Sequence, residues 1–138
     1  LGTGPHPPQA ENIVFNQSVP HDRMAEFLSA GDVFVLPSTY EGCCNAILEA
    51  MSCGLPVIGS IGSFNDDILN DAVSIRVDPL DVSAIREGIV RLRDDHSLCE
   101  GMAQAALSWS IQFDVDARAS RMLAFMTAQI QRSQSETA

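Results

Sequence analysis

The sequence predicts an α/β fold, a Rossmann-like parallel sheet with flanking helices. Two observations carry this expectation. Val33-Phe34-Val35-Leu36 is a continuous apolar stretch bounded by Asp32 and Pro37. A strand with one wet face alternates apolar and polar residues; this one does not, so it reads as a buried parallel strand. A helical pattern follows within a few residues, and then a second apolar stretch, Pro56-Val57-Ile58-Gly59. Strand, helix, strand at this spacing is a βαβ unit with a right-handed crossover.

The elements follow in order. Leu1–Glu11, with Pro5, Pro7 and Pro8, reads as an irregular lead-in, and Ile13–Asn16 as a short strand. His21–Ala30 is a helix with Met24, Phe27 and Leu28 on one face, closed by Gly31. In the central helix, at about 100° per residue, Ile47, Leu48 and Met51 share one face while Asn45, Glu49 and Ser52 share the other. Gly54 stops that helix and Pro56 lies just beyond. Ser60–Asn65 is a polar loop, and Val73–Val77 a strand ended by Asp78-Pro79.

Asp81 caps a helix to about Asp94, with Val82, Ile85, Ile89 and Leu92 as its buried stripe. A further helix from Ser97 to about Trp109 presents Leu98, Met102, Ala105 and Trp109. The last, Asp114–Gln131, presents Val115, Met122, Phe125 or Met126, and Ile130. Residues 1–132 form one domain, and Ser133–Ala138 reads as a disordered tail.

Composition excludes several classes. A chain of 138 residues, 46% hydrophobic, supports a single domain with a real core. No apolar run approaches the ~18 residues of a membrane span, and no signal peptide is visible. A net charge of −10 argues against nucleic acid and anionic lipid as partners. All eight basic residues are Arg, which excludes a Schiff-base or Walker-type lysine within this chain. Cys43, Cys44, Cys53 and Cys99 make no disulfide framework and lack the spacing of a zinc knuckle. They read as reduced thiols of a cytoplasmic protein.

The chemistry concentrates in Pro37 to Gly59. Ligands of open parallel sheets bind at the carboxyl ends of the strands, where the loop Pro37–Cys44 lies. Glu41 falls in that loop and Glu49 in the second turn of the following helix. The pair suits a ligand with an anionic middle and hydroxyl groups at both ends, as in a nucleoside diphosphate sugar. An anion at the helix start meets backbone N–H groups and the positive end of the dipole. No Lys or Arg occurs between Arg23 and Arg76. The dipole contributes only ~0.3–1 kcal/mol, too little to hold a diphosphate tightly, so a basic residue from elsewhere is implied.

The run PSTYEGCCNAILEAMSCGLPV resembles the C-terminal domain of the group 1 retaining glycosyltransferases of the GT-B fold. That family carries Glu-x7-Glu inside a frame like PS-x-x-EG-x-x-x-x-x-LEAM-x-x-G-x-PV, and every fixed position is met. NIVFNQSVPHDRMAEFLSAGDVFVLPS and DAVSIRVDPLDVSAIREGIVRL extend a weaker resemblance over Asn12 to about Phe125. The resemblance implies that Glu49 hydrogen-bonds the ribose hydroxyls of the donor. Glu41 would be the catalytic carboxylate at the donor sugar, positioning it and stabilising charge rather than attacking it. Gly42, Cys43, Cys44 and Asn45 would bring backbone amides to the diphosphate, with Ser38 beside them. Asp66 or Asp67 falls where the family often has Gly-Gly-x-Pro-Glu. No cofactor is implied, because the nucleotide sugar is a substrate, and no metal, because in this fold the helix dipole and basic side chains stabilise the leaving diphosphate.

Three departures bear on the donor site. Cys44 stands where Gly or Pro is common, Gln17 stands where Gly is usual, and GSFNDD lacks the Pro-Glu pair. Leu1-Gly2-Thr3-Gly4 resembles the Gly-x-Gly end of an early family strand. On that reading the chain is a truncated C-terminal domain. Its first strand, its basic phosphate helix and the N-terminal acceptor domain would lie upstream. The full protein would transfer a sugar to an acceptor hydroxyl, with polysaccharide biosynthesis and peripheral membrane association among the family's roles. In the family the final helix can cross back to the other domain.

Blander readings stand beside these. Ser38 fits a turn, Asn45 the support of a first helical turn, and Asp66 or Asp67 a cap near Ile68. His21 fits helix-start packing as well as the edge of a base pocket. The alternative functions are a nucleotide-sugar epimerase of the same fold and a non-catalytic nucleotide-sugar-binding module.

Overall fold

The computed structural model describes residues 10–14, 17–42 and 44–136. A 3-10 turn, His21–Arg23, leads into α1 (Met24–Leu28). Then come β1 (Phe34–Leu36), α2 (Asn45–Ser52), β2 (Val57–Ser60) and β3 (Ser74–Val77). α3 (Val82–Asp94) and α4 (His96–Ser110) follow, then a 3-10 turn, Ile111–Phe113, and α5 (Val115–Glu136). The three strands form one parallel sheet in the order β1-β2-β3, with Leu36 opposite Gly59 and Gly59 opposite Arg76. The expected α/β architecture and its βαβ unit are therefore present. Strand limits differ from expectation by a residue, the ordinary scatter of element ends.

β2 is central and wholly buried, which is why its sequence does not alternate. Its successive side chains still enter opposite faces. Val57 packs with Ile47, Met51, Ile68, Leu69, Val73 and Ala106. Ile58 packs with Val77, Leu92 and Met102. α2 thus covers one face and α3 the other, and α4 contributes to both clusters.

Gly54 ends α2 with φ of 75°, the left-handed conformation that favours glycine. A Cβ there would lie 3.1 Å from Leu107 Cδ1. Gly54→Ala is expected to cost about 1–2 kcal/mol, from the left-handed backbone and that contact. Urea unfolding of the variant measures it; a midpoint equal to the parent's would refute the strain argument.

Several expectations are corrected. Ile13 and Val14 are not in a strand: the Ile13 N–H donates to Ala10 O at 3.1 Å, closing a turn, and Val14 is fully exposed. Phe15 and Asn16, the rest of that expected strand, lie outside the described residues, as do residues 1–9. In α3 the inward residues are Gly88 and Leu92, whereas Val82 and Ile89 face out. The bare backbone at Gly88 approaches Ile58 and Ile75, where a Cβ would sit at 3.4 and 3.5 Å, and this close approach turns Ile89 outward. In α4 the buried positions are Met102, Ala106 and Ser110. Leu98, Ala105 and Trp109 lie at the edge, and the Trp109 Nε1–H donates to Ile68 O at 2.8 Å.

The last helix departs most. It continues to Glu136, so residues 133–136 are helical rather than a disordered tail, and residues 137–138 lie outside the described ones. Val115, Met122, Phe125, Met126 and Ile130 are all more than half exposed. The core clusters close without α5, which meets the rest chiefly at the 3-10 turn preceding it. Asp114 Oδ2 caps it by accepting from the Asp116 and Ala117 N–H groups, and Arg121 Nη2 donates to Gln112 O at 2.6 Å. Among the described residues no helix is long and apolar enough to cross a membrane.

Candidate functional site

The site begins where the β1–β2 ladder ends. Leu36 and Gly59 form the last pair of that ladder. A side chain takes over the link: the Ser60 hydroxyl, fully buried at the end of β2, donates to Ser38 O at 2.5 Å. The Ser38 hydroxyl in turn donates to Glu41 Oε1 at 2.6 Å. Behind Ser60, the Asn65 Nδ2 donates to Ser60 O at 3.1 Å. Asn65 is 1% exposed, and its Oδ1 has no partner. On the outside, the Tyr40 and Phe64 rings meet at 5.9 Å with a tilt of 50°. The loops following β1 and β2 are thus joined twice, and Glu41 hangs from that junction.

A second group lies along α2. Asn45 and Glu49 line a cavity of about 580 Å³ between α1, α2 and residues 110–115. Met24, Leu28, Leu48 and Phe113 supply its apolar wall. Glu49 keeps 36% of its side chain exposed, and its Oε1 stands 4.0 Å from His21 Nδ1 at the rim. At the N-terminus of α2 no side chain caps the helix, and the Ile47 and Leu48 N–H groups donate to Cys44 O. Glu49 thus stands on the cavity wall within α2, and Glu41 lies in the loop that leads into the same helix.

The expected site residues therefore fall into two sets. Asn45 and Glu49 line the cavity, while Ser38 and Glu41 belong to the loop network. A Cβ at Gly42 would meet nothing within 4 Å. Cys44 is buried at 5% exposure in the core, so only its backbone faces the loop. Its φ of −82° is ordinary, so the backbone here makes no demand for glycine. Cys43 lies outside the described residues. Asp66 is drawn into an ion pair with Arg76 at 3.0 Å, and Asp67 is exposed. Arg76, the next cation along the chain, is shared between Asp66 and Asp71.

Sequence reasoning missed Ser60, Asn65, Phe113 and Asp114. A polar residue closing an apolar strand was the one available signal, and it pointed at Ser60. The resolved pKa shifts lie away from the site. Hydrogen bonding between them pushes Arg93 up and Asp94 down, and burial pushes the Cys99 thiol up. Among the described residues no group of three or more His, Cys, Asp or Glu is placed to hold a metal ion.

A family model described as "Glycosyl transferases group 1" matches residues 2–95, more than half of the chain. The O-antigen chain mannosyltransferase B of Escherichia coli is 40% identical over 97 residues, covering 66% of this chain and 25% of that protein. The UDP-Gal:alpha-D-GlcNAc-diphosphoundecaprenol alpha-1,3-galactosyltransferase of Escherichia coli is 40% identical over 72 residues, covering 51% and 19%. Among solved structures, sucrose-phosphate synthase from Thermosynechococcus elongatus superposes with a TM-score of 0.69 at 25% identity. That match covers 87% of this chain and 29% of the other. The fold is that of the C-terminal domain of a GT-B protein. The chain belongs to the group 1 glycosyltransferases. It spans about a quarter or less of the length of these curated relatives.

Proposed function

We propose that this domain binds the nucleoside diphosphate sugar of a retaining glycosyltransferase, and that the full-length protein transfers the sugar to an acceptor hydroxyl. The observation that carries this reading is the disposition of the two glutamates. Glu49 stands on the wall of a cavity large enough for a base and ribose, and Glu41 is fixed by Ser38 in the loop before the same helix. In this reading Glu49 accepts hydrogen bonds from the ribose hydroxyls. Backbone amides of Gly42 to Asn45 and the α2 dipole face the diphosphate. Glu41 orients the sugar and stabilises developing positive charge. The name of the galactosyltransferase relative, which carries UDP-galactose, supports a donor of this class.

Arg76, the next cation along the chain after α2, is already paired with two aspartates, so this reading takes the counter-charge of the diphosphate from elsewhere. Its cations and the acceptor cleft would come from sequence beyond these residues, including an N-terminal acceptor domain. The donor is a substrate, and the reading assigns no cofactor. It places the reaction in the cytoplasm, with surface polysaccharide or glycolipid synthesis as the setting.

Calorimetric titration of the full-length protein with UDP, GDP, ADP and their sugar conjugates tests the reading. One nucleotide is expected to bind, and Glu49→Ala to weaken it about a hundredfold, as for two hydrogen bonds to a charged acceptor. Circular dichroism should show the variant folded, because Glu49 is not part of the core clusters. An affinity unchanged in Glu49→Ala would remove the ribose assignment.

A further inference from the structure

We propose that Ser60 and Asn65 are positioning residues for Glu41, acting through Ser38. The inference rests on the donor-sugar role of Glu41 given above. Its basis is one unbroken path. Asn65 Nδ2 donates to Ser60 O, Ser60 Oγ donates to Ser38 O, and Ser38 Oγ donates to Glu41 Oε1, at 3.1, 2.5 and 2.6 Å. The inner members are closed off from solvent: Ser60 is 0% and Asn65 1% exposed.

The path takes over where the sheet stops. The β1–β2 ladder ends at Leu36–Gly59, so no strand pairing reaches the loop that carries Ser38 and Glu41. A single buried hydroxyl makes the link instead. Ser38 has two separable roles, since its carbonyl receives the tether and its hydroxyl holds the carboxylate. Moving the carbonyl therefore moves the hydroxyl, and with it Glu41.

Asn65 fixes the other end. Its backbone N–H donates to Gly62 O at 3.0 Å, and its carbonyl accepts from the Ile68 and Leu69 N–H groups at 3.1 and 2.7 Å. The loop that carries it is therefore a set of closed turns and a rigid anchor for Ser60. The Tyr40–Phe64 ring contact joins the same two loops on their outer side. A reacting group displaced by about 1 Å can lose a large part of its rate or affinity advantage, so a tether of this kind has leverage on the sugar and none on the base.

The test uses the full-length protein titrated with UDP, UDP-galactose, UDP-N-acetylglucosamine, GDP, GDP-mannose, ADP and ADP-glucose. Ser60→Ala and Ser38→Ala are each expected to weaken the bound sugar nucleotide about tenfold. The parent nucleoside diphosphate should change by less than about twofold in Ser60→Ala, because Glu49 and its cavity are untouched. Ser38→Thr, which keeps the hydroxyl, should restore the sugar-nucleotide affinity lost in Ser38→Ala. Equal weakening of nucleotide and sugar nucleotide in Ser60→Ala, or no weakening of either, overturns the positioning role while the donor site stands. Absence of binding by every probe to the parent protein refutes the donor site and this inference together.

Discussion

Glu41→Gln is expected to lower turnover of the full-length protein about a thousandfold while nucleoside diphosphate affinity holds. The substitution is chosen for what it keeps. An amide oxygen still accepts from the Ser38 hydroxyl, so the 2.6 Å contact and the loop can persist. Only the charge is removed. If Glu41 stabilises positive charge developing on the sugar, that loss acts on the transition state more than on the bound donor, and kcat falls with little change in donor KM. The cavity beside Glu49 does not include Glu41, so the nucleotide half of the ligand should be indifferent. A Glu41→Gln protein with turnover within tenfold of the parent would assign this carboxylate to packing. The measurement is initial rate against donor concentration, with stability followed by thermal unfolding in parallel.

Asn65→Asp is expected to destabilise the domain by about 3–4 kcal/mol at neutral pH. The side chain is 1% exposed, and the groups hydrogen-bonded to it include no cation. An ionised carboxylate there would be desolvated. It would also set a second acceptor against Ser60 O in place of the Nδ2 donor. Burial raises the folded-state pKa of the introduced carboxyl above its unfolded value. The protonated form can donate to Ser60 O, so the relative stability it allows is present at low pH. That stability is lost as pH rises through the folded pKa. The loss of stability relative to the parent should therefore shrink from pH 7 toward pH 4. A pH-independent difference in urea midpoint would mean that the substituted side chain turns out to solvent.

The central unit was legible because its signals are local. Val33–Leu36 and Pro56–Gly59 are unbroken apolar runs, and β2 is buried along its whole length as that pattern implies. β1 instead lies at the edge of the described sheet with Val35 37% exposed, so the expected full burial holds for one strand of the two. Asp81 was read as a cap, and its Oδ1 accepts from the Ala84 N–H at 3.0 Å. The polar face of α2 was also legible, since the spacing of Asn45 and Glu49 fixes their direction whatever packs nearby.

What failed depended on distance along the chain. The stripe proposed for α3 assumed that large apolar residues turn inward. Gly88 lets the helix approach the sheet so closely that it sets the rotation instead. Ser38 and Ser60 are separated by 22 positions, and Glu49 faces residues 110–115 across a cavity that periodicity cannot reveal. The short strand expected at Ile13 failed for a simpler reason: a turn at Ala10 to Ile13 satisfies its first amide.

The way α5 is attached sets how the molecule breathes. A helix rooted at one end, with its apolar side chains in water, draws no cooperative support from the sheet. Its amide hydrogens should trade with deuterium through local fraying, on a far shorter clock than those of β2. The domain would then show two exchange populations divided near Asp114. A partner settling on Met122, Leu123, Phe125, Met126 and Ile130 would merge them by lending the helix the protection of a core. Isotope uptake along α5 is therefore a gauge of occupancy for that surface, readable without knowing what occupies it.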